Sequence, residues 1–335
     1  MHKPKNIIVD KFGRIHDYLR ISLTERCNLR CFYCMPAEGI ALREKSEFMS
    51  SEETLAIAKT FVKLGVKKIR LTGGEPLIKK NFSQLLQDLS KLPVSLALTT
   101  NGILVDRFID DFKSANLSSI NVSLDSLSEE NFNQISRRNY FNKIMDNIHL
   151  LVKNNFKTKI NVVVMRGVND HEIVDFVKWT KDLNVQVRFI EFMPFDGNKW
   201  DWNKKVSMKE ILTKVTAEFG DDNINTLKSG PNDTTKNFRI KNYNGSFGII
   251  SSVTNPFCDT CNRIRLTADG KIKNCLFSNN ETDLLSAYRN GDKLDALILQ
   301  SIHNKKKSRG GIDSFEDPKN LKLFSSNRSM TTIGG

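Results

Sequence analysis

The chain has 335 residues, 39% hydrophobic and 27% charged, with 51 Lys and Arg against 38 Asp and Glu and a formal charge of +13. This composition supports one or two packed domains; it excludes a disordered chain, and no stretch reaches the ~20 apolar residues of a membrane span. The positive balance points to an anionic partner (nucleic acid, an acidic protein or a phosphorylated small molecule), although any single lysine cluster, Lys305–Lys306–Lys307 included, reads first as solvated surface.

The opening "MHKPKNIIVDKFGRIHDYLR" is charged, with no long apolar stretch and no small-residue cleavage site, so a cytoplasmic protein is expected rather than a secreted one. From Arg20 to Met193 a short β-rich run repeatedly precedes a longer helical pattern. The expected strands are Leu19–Leu23, Lys68–Thr72, Ser95–Thr99, Ser119–Leu124, Lys159–Met165 and Gln186–Phe192. Their near-continuous hydrophobicity suits parallel strands buried on both faces. Between the first two, Ser50 and Glu53 form a capping box, Leu55, Ala58, Phe61 and Val62 an apolar stripe, and Gly65 a stop. Helices are also expected over Phe82–Lys91, Arg107–Ala115, Phe141–Asn154 and His171–Leu183. Six βα units imply right-handed crossovers, hence an incomplete (β/α)6 TIM-like barrel or a doubly wound sheet, with the site at the C-terminal strand ends.

After Pro194 the pattern changes. Met208–Phe219 reads as a helix, and "GDDNINTLKSGPNDTTKN" as a linker or exposed loop. We therefore expect a barrel over residues 1–235 and an α+β extension over 236–335.

The six cysteines fall into two triads. Cys27, Cys31 and Cys34 follow the first strand as C-x3-C-x2-C, and Cys258, Cys261 and Cys275 form C-x2-C-x13-C. In a cytosolic chain such clusters argue for metal or redox chemistry rather than disulfides. Three thiolates suit a 4Fe–4S cube held at three corners, its fourth iron open to a small molecule. Zinc is the competing reading, but zinc sites usually mix in His or carboxylate, and no histidine stands at ligand spacing beside either triad.

C-x3-C-x2-C with Tyr33 before the last cysteine resembles the signature of radical S-adenosylmethionine (SAM) enzymes, and Gly73–Gly74–Glu75–Pro76 resembles their GGEP motif. Glycines after a strand admit a ligand close to the backbone. Ser123 and Met193 stand where family members contact SAM. Three cysteines in the second triad, within "FCDTCNRIRL", narrow the likeness to the GTP 3′,8-cyclase family of molybdenum cofactor biosynthesis. "RISLTERCNLRCFYCMP", "KKIRLTGGEPL", "LTTNG", "INVSLD", "NVVVMRGVND", "VRFIEFMP" and the terminal Gly334–Gly335 extend it along the whole length. Glu25 is a departure, since Asp is common there.

The resemblance implies two 4Fe–4S clusters. At the first, SAM yields a 5′-deoxyadenosyl radical that takes the ribose 3′ hydrogen of GTP; at the second, the open iron binds guanine. It further implies GTP contacts from Arg20, Arg70, Thr99, Lys159, Arg263 and Arg265, with Arg188 as another phosphate ligand and Gly334 and Gly335 reaching into the site. Arginine's fork suits phosphate oxygens, and Arg263 and Arg265 share one strand face. A flavodoxin- or ferredoxin-type electron donor, a homodimer and product transfer to cyclic pyranopterin monophosphate synthase are implied too, with no nucleic-acid partner. The alternatives are a peptide-modifying radical SAM enzyme and a basic zinc protein that binds nucleic acid.

Overall fold

The computed structural model describes residues 7–41, 43–196, 198, 200–312, 315 and 327–334. Six parallel strands follow the expected order: β1 (Tyr18–Ser22), β2 (Lys68–Thr72), β3 (Ser95–Thr100), β4 (Ser119–Ser123), β5 (Thr158–Val164) and β6 (Gln186–Glu191). Four of the expected helices form as read or nearly so, over Ser51–Lys63, Phe82–Ser90, Phe141–Lys153 and Met208–Phe219. Ser50 and Glu53 make the capping box of the first. Two are shorter than their patterns: Ile109–Ser114 follows a 3-10 turn, and Ile173–Trp179 is cut at both ends. A helix over Glu129–Ser136, capped by Ser128, was not expected from the sequence, because it is only two turns long and largely polar.

β2 and β4 are buried on both faces, as expected, whereas β1, β5 and β6 alternate buried with half-buried residues, which corrects the reading for those three. Leu19, Ile21, Ile69, Leu71, Leu96, Leu98, Ile120, Val122, Ile160, Val162, Val187 and Phe189 are at most 2% exposed and form the core under the helices. The alternate residues point the other way and are polar: Arg20, Arg70, Thr99, Asn121, Lys159, Asn161 and Arg188 line a cavity. Side chains alternate across a strand, so the period-2 polar positions inside "LRISL", "KIRLT" and "SINVSL" mark an open, polar lumen.

The sheet also continues past the barrel. Strands β7 (Ile224–Leu227), β8 (Lys236–Ile240), β9 (Ser246–Ile250), β10 (Arg263–Leu266), β11 (Lys271–Lys273) and β12 (Glu281–Asp283) complete a 12-stranded sheet of order β12-β11-β10-β1-β2-β3-β4-β5-β6-β9-β8-β7. β10 pairs parallel with β1 and β9 parallel with β6, while β11–β12 and β7–β8 add antiparallel edges. The stretch read as a linker therefore contains β7. It escaped notice because it is a polar, partly exposed edge strand with no apolar run. No described helix is long and apolar enough to cross a membrane.

Candidate active site

The lumen is a cavity of about 620 Å³ that all six cysteines line, as do Tyr33, Gly73, Gly74, Ser123 and Met193 and the cations Arg20, Arg70, Lys159, Arg188, Arg263 and Arg265. Two regions far apart in sequence thus meet because β10, which follows Cys261, lies against β1, which precedes Cys27.

The first triad sits on the loop after β1. Arg30 and Phe32 donate main-chain N–H groups to Ser136 and Ile135 at 2.9 and 3.1 Å, fixing the loop to the helix Glu129–Ser136. Cys27 Sγ accepts from Leu29 N at 3.4 Å and from Asn101 Nδ2 at 3.7 Å. Burial pushes the Cys27 thiol up to about 11 and Cys34 to about 12, and Cys31 is also raised. Buried thiols hold their protons until a metal displaces them.

The glycines of GGEP bring two loops together. Gly74 N donates to Thr24 O at 2.7 Å and Glu75 N to Arg26 O at 2.8 Å. A Cβ on Gly74 would stand 2.3 Å from Arg26 O, and one on Gly73 2.6 Å from Thr24 O, so neither position admits a side chain. Glu75 does not line the cavity. Its carboxylate accepts from Asn101 N at 2.7 Å, Thr100 Oγ1 at 2.8 Å and Leu77 N at 3.0 Å, and burial raises it to about 7 against those bonds. Glu75 braces the strand ends. Tyr33 Oη donates to Asp125 Oδ2 at 2.5 Å, and Asp125, raised to about 6 by burial, also accepts from Val163 N at 2.8 Å.

Around the second triad the donors differ. Cys258 Sγ accepts from Arg309 N and Cys261 Sγ from Lys305 Nζ, both at 3.4 Å. Burial raises Cys261, but Lys305 and then Arg263 outweigh it and hold the thiol below its ordinary value, whereas burial keeps Cys275 raised. Lys305 is only 3% exposed, which corrects its reading as solvated surface. The main-chain turn after the helix Leu294–His303 carries it inward.

The cysteine geometry bears on the choice of metal. All six thiols are free. Among the described residues no three His, Cys, Asp or Glu side chains are grouped closely enough to hold a single metal ion. Each triad has three free thiols beside an open cavity, with N–H donors on the sulfurs of Cys27 in the first and of Cys258 and Cys261 in the second, which fits a cluster held at three corners.

The cations lie within the strands, not at their C-terminal ends as expected: Arg20 and Arg70 face each other mid-strand, and Lys159 is the second residue of β5. The physical reason is the open lumen, which accepts polar side chains along its full depth. Arg70 Nε donates to Tyr18 Oη at 2.7 Å, Nη1 to Leu98 O at 2.5 Å and Thr99 Oγ1 at 3.5 Å, and Nη2 to Ser119 Oγ at 3.0 Å, so protein groups engage most of its five donors. Arg188 Nη2 donates to Asn161 Oδ1. In contrast, Asn121 Oδ1, Arg188 Nε and Arg263 Nη1 are buried without a partner, a costly state that a polar ligand relieves. Mutual repulsion is visible throughout. Burial and then Arg188 bring Lys159 down to about 8; burial and then Arg70 bring Arg188 to about 9; burial and then Arg263 bring Arg265 to about 10; burial and then Arg265 lower Arg20 as well. Such a field favours a polyanion.

Gly334 O accepts from Arg265 Nη1 at 2.7 Å, so the chain's end reaches this group of cations. Gly335 lies outside the described residues. Several cavity residues were not anticipated: Tyr18, Asn121, Asp125, Asn161, Lys273 and Lys305. Tyr18, Asn121 and Asn161 share the inward register of Arg20, Arg70 and Lys159, a signal that strand alternation carries. Burial raises the Tyr18 phenol, but Arg70, Arg20 and Lys68 overcome it and bring it down to about 7.

Residues 21–180 match the radical SAM superfamily and residues 185–310 the Molybdenum Cofactor Synthesis C family. The chain is 45% identical over 90% of its length to "Molybdenum cofactor biosynthesis protein moc-5" of Caenorhabditis elegans, covering 51% of that protein. It is 43% identical over 98% of its length to the mitochondrial "GTP 3′,8-cyclase" of Arabidopsis thaliana, covering 84% of it, and 39% identical to the Listeria monocytogenes "GTP 3′,8-cyclase", covering 91%. The chain spans about half the length of several of the curated relatives it matches. The crystal structure of Streptococcus suis SuiB shares the fold at a TM-score of 0.65 and 15% identity, over 96% of this chain and 73% of that one. Radical SAM family membership implies a 4Fe–4S cluster and SAM, and the cyclase family carries a second cluster. The chain belongs to the radical SAM superfamily and, within it, to the GTP 3′,8-cyclase family of molybdenum cofactor biosynthesis.

Proposed function

We propose that this chain converts GTP to (8S)-3′,8-cyclo-7,8-dihydroguanosine 5′-triphosphate, the first step toward molybdopterin. One observation carries the reading: both cysteine triads and a crowded set of buried cations line the same cavity. Cys27, Cys31 and Cys34 would hold the first cluster, and Cys258, Cys261 and Cys275 the second. When bound, the first cluster and SAM supply the 5′-deoxyadenosyl radical that takes the ribose 3′ hydrogen.

The chain's own residues orient and shield. In this proposal Gly73, Gly74, Ser123, Met193 and Tyr33 border SAM, and Glu75 contributes by holding the glycine loop. Arg20, Lys159, Arg188, Arg263 and Arg265 neutralise the triphosphate and fix the ribose and base over the second triad. Arg70 and Thr99, themselves hydrogen-bonded, shape the floor beneath. Arg20, Arg263 and Arg265 lie beside the reacting part of the nucleotide and keep it aligned, and Gly334 and Gly335 close one side. The same reading assigns residues 1–235 to the radical SAM partial barrel and 236–335 to a C-terminal region with the second cluster and the Gly-Gly tail. It takes in a cytoplasmic homodimer, a flavodoxin- or ferredoxin-type donor and delivery of the product to cyclic pyranopterin monophosphate synthase.

The experiment is anaerobic reconstitution with iron and sulfide, followed by SAM, GTP and a low-potential reductant. GTP-dependent 5′-deoxyadenosine with a cyclised nucleotide is the expected result; deoxyadenosine formation indifferent to GTP would refute the substrate.

A further inference from the structure

The hydrogen-bond donors to the two triads differ in charge. Cys27 Sγ receives neutral amides, Leu29 N and Asn101 Nδ2. Cys261 Sγ receives an ammonium, Lys305 Nζ at 3.4 Å, which also donates to Arg263 O at 3.0 Å. Lys305 is 3% exposed, so its charge is nearly out of water and acts on its neighbours through a low-dielectric medium.

The segment that presents it is built for the purpose. Arg309, four residues on, donates its main-chain N–H to Cys258 Sγ at 3.4 Å. Arg14, ion-paired to Asp10 at 2.6 Å, donates Nη1 to Cys258 O at 2.6 Å and to Lys307 O at 2.7 Å, and Nη2 to Lys306 O at 3.0 Å. One guanidinium thus ties the second cysteine loop to the lysine segment, and the spacing between Lys305 and Cys261 follows from that tie.

We propose that Lys305 is a positioning residue of the second cluster, whose ammonium on the Cys261 sulfur sets that cluster's reduction potential above that of the first. A cation beside a thiolate offsets the negative charge that reduction adds, and net charge and hydrogen bonds to sulfur are the levers that set such potentials. This inference rests on the reading of the second triad as a cluster site.

The test uses the full-length reconstituted protein, an EPR-monitored redox titration, and the variants Lys305→Met and Lys305→Arg. The signal that responds to added GTP reports the second cluster, and the one that responds to SAM reports the first. In the wild type the GTP-responsive midpoint is expected above the SAM-responsive one. Lys305→Met is expected to lower only the GTP-responsive midpoint, by at least a tenfold change in the oxidised-to-reduced ratio at fixed potential, about 59 mV for one electron. Lys305→Arg is expected to restore it. An unmoved midpoint in Lys305→Met, with both clusters loaded, would overturn the proposal. Should Lys305→Met lose the second cluster, recovery of its iron in Lys305→Arg would support a role for the charge, and equal loss in both variants would overturn it. A wild-type protein with no GTP-responsive cluster signal would instead remove the cluster reading itself.

Discussion

Arg265 Nη1 donates to the carbonyl of Gly334 at 2.7 Å, joining a cavity cation on β10 to the end of the described chain. Gly334 has φ +85°, and a Cβ there would stand 2.6 Å from Thr72 Oγ1 and 2.8 Å from Ser22 Cβ. Neither the left-handed backbone nor the space tolerates a side chain. Gly334→Ala is therefore expected to lower kcat/KM at least ~tenfold, a loss of ~1.4 kcal/mol of transition-state stabilisation. Iron content and SAM binding stay unchanged. Deleting Gly334 and Gly335 has the same sign and a larger effect, and wild-type turnover in the truncated protein would refute a role for the tail.

Gly74, two residues after the Thr72 that crowds Gly334, has a parallel constraint, since an added methyl would meet Arg26 O at 2.3 Å and Glu25 O at 2.6 Å. Both obstacles are backbone, so the glycine loop must retreat from the cysteine loop. In Gly74→Ala, SAM binding measured by equilibrium dialysis is expected to fall at least ~tenfold, as one missing contact set of ~1.4 kcal/mol would give. GTP binding is expected to persist.

Lys159 supplies a pH signature. Burial and Arg188 bring it down to about 8 from the ordinary 10.5, so the free protein loses this charge as pH rises through about 8. A triphosphate favours the charged form, and binding above that pH takes up a proton. Affinity for GTP is then full below about 8 and falls above it, by up to ~tenfold per pH unit for one linked proton. Lys159→Arg keeps its charge and is expected to flatten the profile. Calorimetric titrations between pH 7 and 9.5 that gave parallel curves for both proteins would contradict the assignment.

Cys275 separates the two halves of the site. It belongs to the second triad and lies just after β11. Cys275→Ala is expected to leave SAM binding within ~twofold of wild type while weakening GTP binding ~tenfold or more, judged as a ~1.4 kcal/mol loss. Lost SAM binding with intact GTP binding would reverse the division of labour.

The barrel strands were legible because Ile21, Leu71, Leu98, Val122, Val162 and Phe189 each sit in a short β-rich run followed by a helical pattern, and the capping box at Ser50 and Glu53 marked its helix to the residue. The cysteine spacings and GGEP were legible because each is local in sequence. What local pattern could not show is pairing at long range. The contact of β10 with β1, Tyr18↔Arg263 to Ile21↔Leu266, places the second triad in the same cavity as the first, and no periodicity encodes it. Lys305 was misread for the same reason: a run of three lysines looks solvated until Arg14, almost three hundred residues earlier, is seen fixing its segment over Cys258. Tyr18 on β1 and Asp125 just after β4 escaped because a single phenol or acid has no motif of its own.

The central claim is that the radical formed on the cysteine-loop side acts on a nucleotide held by the cations of the same cavity. Anaerobic turnover with GTP deuterated at ribose C3′, followed by mass spectrometry of the 5′-deoxyadenosine, tests it most directly. The account predicts one deuterium transferred to 5′-deoxyadenosine together with a cyclised nucleotide that has lost it. Unlabelled 5′-deoxyadenosine, formed at the same rate with or without the nucleotide, would contradict it.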